Sequence, residues 1–171
     1  MRKSSFQKHI NQLNEEDLRS ELMMLFSKVK EVSEYYKMEL GTSADRQKMY
    51  DKAKKEITAK FATKSYRRPR RPRIQKINLI IRSTEGKSVI DYEMIDVYLH
   101  TVETAINFMI DYRFKSTPVD NIILKLFPKA YALIERSLLG DEYNERCENI
   151  MSSLYFDGPL HAELADAIED L

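Results

Sequence analysis

The stretch Val89-Ile-Asp-Tyr-Glu-Met-Ile-Asp-Val-Tyr-Leu-His-Thr-Val-Glu-Thr-Ala-Ile-Asn-Phe-Met-Ile-Asp-Tyr112 decides the fold. At 100° per residue, Ile90, Met94, Ile95, Val97, Leu99 and Val102, followed by Ala105, Ile106, Phe108 and Met109, cover more than half of a helical circumference. A helix that apolar is central and contacted on several sides. Its remaining polar strip is Glu93, Asp96, His100, Glu103, Asn107 and Asp111.

The 3–4 spacing continues on both sides of this element. Downstream, Thr117-Pro118 opens a helix carrying Val119, Ile122, Ile123, Leu126, Ala130, Leu133 and Ile134, and Pro128 inside it predicts a kink or a split. Gly140-Asp141 begins a helix with Tyr143, Cys147, Ile150, Met151 and Leu154. Asp157-Gly158-Pro159 then breaks the chain before a last helix with Leu160, Leu164, Ile168 and Leu171.

Upstream, Glu85-Gly86-Lys87 reads as a turn, preceded by a helix from Pro72 through Ile74, Ile77, Ile80 and Ile81 to about Thr84. Ser43 is the expected cap of a helix whose stripe is Met49, Ala53, Ile57 and Phe61, with Lys48, Lys52 and Lys55 opposite. Before it, Asn14 caps a helix running from Leu18 through Leu22, Leu25, Val29, Val32 and Tyr36 to Leu40, with Gly41 as its stop. Phe6, Ile10 and Leu13 mark a short first helix. With only four glycines and five prolines, turn-formers are too few for a many-stranded β protein.

These patterns predict an all-α protein: an irregular antiparallel bundle of about seven or eight helices, or the same helices as stacked hairpins. Its 171 residues form one domain, with an extended Arg/Pro-rich connection near 62–72. Cys147 is the only cysteine, so neither an internal disulfide nor a cysteine zinc site is expected. No run of about 18 apolar residues occurs, and the expectation is a cytoplasmic protein that makes no use of a membrane.

A net charge of +1 hides a strong polarity. Residues 46–87 carry 15 Lys/Arg against 3 Asp/Glu, whereas residues 88–171 carry 6 against 16. The positive charge peaks in Lys64-Ser-Tyr-Arg-Arg-Pro-Arg-Arg-Pro-Arg-Ile-Gln-Lys76. Arginines this close repel one another and call for an anion. That anion is either an external partner or the chain's own acidic C-terminal half. The candidate anion- or partner-binding residues are Lys52, Lys55, Lys64, Tyr66, Arg67 and Arg68, with Arg70, Arg71, Arg73 and Lys76.

Three functional classes follow. The leading one is a non-enzymatic helical interaction protein that presents this surface to an acidic protein partner. The second is a nucleic-acid binder that uses the same residues, with Tyr66 and Tyr50 available for stacking. The third is an enzyme or metal protein built on Asp96, His100 and Glu103, which share one helix face. That strip reads better as a solvated side or a partner for arginines, being the one polar arc of an otherwise apolar helix. No phosphate-binding loop, dinucleotide fingerprint, serine-hydrolase elbow or zinc-protease helix is present, and no cofactor is expected.

The run Leu25-Phe-Ser-Lys-Val-Lys-Glu-Val-Ser-Glu-Tyr-Tyr-Lys-Met-Glu-Leu40 resembles the second helix of a group of small bacterial proteins catalogued as a domain of unknown function. Residues 126–150, with Leu138-Leu139 and Glu145-Arg146-Cys147, are similar to that group's C-terminal hairpin. The group ends on a Gly-aromatic-Gly-aromatic-His run, where this chain has Tyr155-Phe-Asp-Gly-Pro-Leu-His161. The resemblance implies a helical fold and no particular activity.

Overall fold

The computed structural model describes residues 2–63 and 65–169. Lys64 and Leu171, both used above, lie outside that set. The fold is all-α, 79% helical, and among the described residues it contains nine α-helices and no strand. The helices are α1 (Lys3–Ile10), α2 (Glu15–Lys28), α3 (Lys30–Glu39), α4 (Ser43–Phe61), α5 (Ile74–Glu85), α6 (Ile95–Tyr112), α7 (Thr117–Ser137), α8 (Gly140–Ser153) and α9 (Gly158–Glu169).

The apolar helix is central, as its sequence requires. Ten residues of α6 are buried, and it packs against α4, α7 and α8. Alongside it, α7 buries Val119, Ile122, Ile123, Leu126, Phe127, Ala130 and Ile134 and is covered in turn by α9. Pro128 does not split α7, which runs unbroken for 21 residues. The proline forfeits one backbone hydrogen bond, and buried Leu126, Phe127 and Ala130 around it hold the helix in place.

Four boundaries differ from the sequence expectation. The long second helix divides at Val29, whose φ of −109° and ψ of 107° are extended. Val29 serves both ends, donating its N–H to Leu25 and accepting from Ser33. The turn brings the Phe26 and Tyr36 rings to 6.5 Å, a distance that one straight helix cannot give residues ten apart. Thr42, not Ser43, caps α4: its hydroxyl accepts from the Asp45 amide and the Asp45 carboxylate accepts from the Thr42 amide.

α5 starts at Ile74 rather than Pro72. The Arg73 N–H reaches across to the Lys60 carbonyl at 3.3 Å, which holds the chain outside the helix there. A 3₁₀ turn, Asp91–Met94, precedes α6 because Ile90 is extended (φ −128°, ψ 110°) and its carbonyl accepts from the Ser88 hydroxyl.

The first three helices stand apart energetically. None of their described residues is buried, whereas α4 to α9 share one continuous core.

Candidate functional site

The acidic face of α6 does meet arginine and lysine, though not those of the Arg/Pro segment. From α8, Arg146 donates Nε and Nη2 to the two Glu103 oxygens at 2.6 and 2.8 Å, and Nη1 to Asp96 at 2.7 Å. Lys54 of α4 completes the cluster on Asp96. Burial alone would raise the Asp96 carboxyl, but Lys54 and Arg146 outweigh it and hold it below the usual carboxylate range. The Glu103 hydrogen bonds push the Arg146 guanidinium above its ordinary value despite burial.

His100 lies between these groups with Nε2 2.9 Å from the Thr58 hydroxyl. Burial shifts it downward, favouring neutral imidazole. Asp96 and Glu103 therefore spend their oxygens on internal cations, and among the described residues no group of three metal-ligating side chains is assembled.

Two other clusters pair partly buried charges between elements. Arg46 donates Nε to both Glu93 oxygens at 2.9 and 3.0 Å, and Tyr50 donates its hydroxyl to the same carboxylate. Lys129 and Tyr98 both donate to Glu85, at 2.5 and 2.7 Å, with the ammonium 4.8 Å from the Tyr98 ring centre. Thus the acidic half docks on the basic middle through Arg46 and Lys54 of α4.

The arginine segment is left out of this pairing. Arg67, Arg68, Arg70, Arg71 and Arg73 are all exposed, and none makes an ion pair among the described residues. Internal docking of these five arginines on the acidic half, one of the two anion sources weighed from sequence, is not what the structure contains. The loop is shaped by its own hydrogen bonds: the Thr63 hydroxyl accepts from the Arg70 amide at 3.0 Å and the Ser65 hydroxyl from the Arg68 amide at 3.3 Å. Tyr66 is 72% exposed, its ring 5.7 Å from that of Tyr112. Tyr50, in contrast, is buried, and burial pushes its hydroxyl up to about 12, so it offers no stacking surface.

Beside this loop, α4 and α5 form an open groove of about 600 Å³, closed at one end by α3. Met49 and Ala53 of α4 and Leu79 and Ile80 of α5 give it an apolar lining, and Leu79 remains 56% exposed. Lys48, Lys52 and Lys60 from α4, Lys76 from α5 and Lys87 beyond it stand around that lining. Lys48 pairs with Asp45 and Lys87 with Glu34, but Lys52, Lys60 and Lys76 have no carboxylate partner among the described residues. The Arg73–Lys60 backbone bond ties the arginine loop to the groove's far end.

Of the sequence candidates, Lys52 and Lys76 line the groove, the five arginines and Tyr66 belong to the adjoining loop, and Lys55 is exposed on α4 but does not line the groove. Lys60, Met38 and Leu79 were missed. The Lys76–Leu79–Ser83 spacing on α5 carried that signal, hidden because the same helix shows a stronger isoleucine stripe.

The single thiol belongs to none of this. Cys147 is buried on α8, and burial pushes it up to about 11.

Fold and site together define an all-α bundle with an open amphipathic groove, and among the described residues no group of three metal-ligating side chains. The chain belongs to a family of unknown function, DUF6155, whose sequence model matches residues 1–157. No curated protein and no solved structure matches it. Among the described residues, no helix is long and apolar enough to cross a membrane.

Proposed function

We propose that this is a non-enzymatic interaction protein whose α4/α5 groove and Arg67–Arg73 loop take an acidic, amphipathic segment of a protein partner. One observation carries the reading: an apolar lining that includes half-exposed Leu79 lies beneath three lysines without internal carboxylates. Exposed apolar surface combined with unpaired cations fits a helix bearing both leucine-type and carboxylate side chains. A nucleic acid would use the cations but gain little from methionine and leucine, because its affinity comes from phosphate contacts and base stacking. A cytoplasmic setting goes with this reading, since the lone Cys147 supports no internal disulfide.

The test is fluorescence anisotropy with two probes, an acidic amphipathic helical peptide and a single-stranded oligonucleotide of about 20 nucleotides. The combined Lys52→Ala, Lys60→Ala and Lys76→Ala variant is expected to weaken peptide binding by roughly tenfold or more. Leu79→Ser should weaken it too. Replacing Arg67, Arg68, Arg70 and Arg71 with Ala should lower peptide affinity and leave the melting temperature unchanged, because these exposed groups have no ion-pair partner to lose among the described residues. Oligonucleotide binding that is tighter, steeply salt-dependent and indifferent to Leu79→Ser would replace this reading with the nucleic-acid one.

A further inference from the structure

The packing of α2 onto α3 leaves an amphipathic stripe uncovered. Leu22, Met23 and Phe26 are 48, 65 and 38% exposed, and no residue of α1, α2 or α3 is buried. At 100° per residue, these three share about 100° of arc with Glu15 and Arg19. Glu16 borders the same stripe, and the α2 N-terminus is acidic throughout its first turn. The stripe therefore reads negative, then positive, then apolar along the helix.

The groove presents the complement. Along α4, Lys52, Glu56 and Lys60 line it at i, i+4 and i+8, alternating positive, negative, positive beside the Met49, Leu79 and Ile80 lining. Glu56, like the two lysines, has no ion pair among the described residues. On α2, Arg19 pairs among the described residues only with Glu15, an exposed i, i+4 contact that contributes little and is readily exchanged.

We propose that the groove receives α2 of a second copy of this chain, Glu15 and Glu16 meeting its lysines and Arg19 meeting Glu56. This rests on the groove being a site for acidic amphipathic helices and names its occupant. Each copy carries both the helix and the groove, so the exchange is mutual and closes as a two-fold dimer. Glu34 and Met38 of α3 already sit at one end of the groove, which places the helical arm beside the surface it would cross to reach a neighbour.

Charge reversal tests this without requiring any one variant to behave well alone. One variant reverses the groove (Lys52→Glu, Glu56→Lys, Lys60→Glu) and the other reverses the arm (Glu15→Lys, Glu16→Lys, Arg19→Glu). Five of the six positions are exposed and Lys60 is half-buried, and circular dichroism checks that each variant keeps its helix content. In sedimentation velocity across the micromolar range, the wild type is expected to dimerise. Each variant alone should dimerise at least roughly tenfold more weakly. An equimolar mixture should recover the dimer, because both of its interfaces are then complementary.

A monomeric wild type, or variants that dimerise as well as it does, would overturn the proposal. So would a mixture with no recovery. The acidic peptide probe, run on the same samples, separates the two levels. Peptide binding by a monomeric wild type removes the second copy as occupant and keeps the groove's function, while loss of both removes the groove reading itself.

Discussion

Leu138 closes α7 in the left-handed region, φ 56° and ψ 39°, with 91% of its surface exposed. Its neighbour's amide reaches back to the Ile134 carbonyl at 3.0 Å and its own to Glu135 at 3.2 Å, the double bond pattern that usually selects glycine at this position. A leucine there bears roughly 1–2 kcal/mol of Cβ crowding and, being exposed, gains almost no packing in return. Leu138→Gly is therefore expected to stabilise the protein by about 0.5–1 kcal/mol once glycine's larger chain entropy is subtracted, read from the urea midpoint. Leu138→Ala should show no such gain, because the crowding stays. Arg113 ends α6 in the same region, at φ 47°. Neither stop was legible, since leucine and arginine carry no turn signal. Gly41 was legible, and a Cβ there would clash with the Lys37 carbonyl oxygen.

At the scale of elements, α7 and α9 meet near a carboxylate, one oxygen of which is buried with no hydrogen-bond partner among the described residues. Asp120 Oδ1 is buried without a partner, while Asp157 nearby takes Lys115 at 2.8 Å. Burial first, then Asp157, raises the Asp120 carboxyl above its ordinary 3.8, with Lys115 opposing. A raised folded value means that protonated Asp120 favours the native state. That contribution is full below 3.8 and is lost as pH rises through the folded value. Asp120→Asn should thus stabilise the protein at pH 7 by up to about 1 kcal/mol, and the gain should vanish in melts run at acid pH. Helix identities around this junction followed from apolar spacing alone. The Val29 break did not, because the 3–4 spacing runs straight through it and the extended residue is an ordinary core-type valine. The return of α3 onto α2, with Phe26 against Tyr36, goes with that boundary, and one-dimensional periodicity contains no record of it.

For the whole molecule, the charge polarity of the chain was plain in the sequence, but its resolution was not. Basic and acidic regions meet through Arg46 and Lys54, with Arg146 from within the acidic half doing much of the neutralising. The Arg67–Arg73 loop that dominates the count takes no share among the described residues. Composition can show that charges must be balanced; only the packing of α4 and α8 on α6 decides which ones are. The groove was half visible for the same reason, its Lys52 and Lys76 evident and its apolar α5 wall concealed behind a core stripe. Burial of Cys147 has a practical consequence for this bundle. With its thiol near 11 and its atoms shielded, the native protein holds roughly a hundredfold less thiolate than an ordinary cysteine at 9.0 would. Alkylation at neutral pH is then expected to be slow and to follow local opening around α8. The pace of that labelling clocks how often the molecule opens, with no dye or tag introduced.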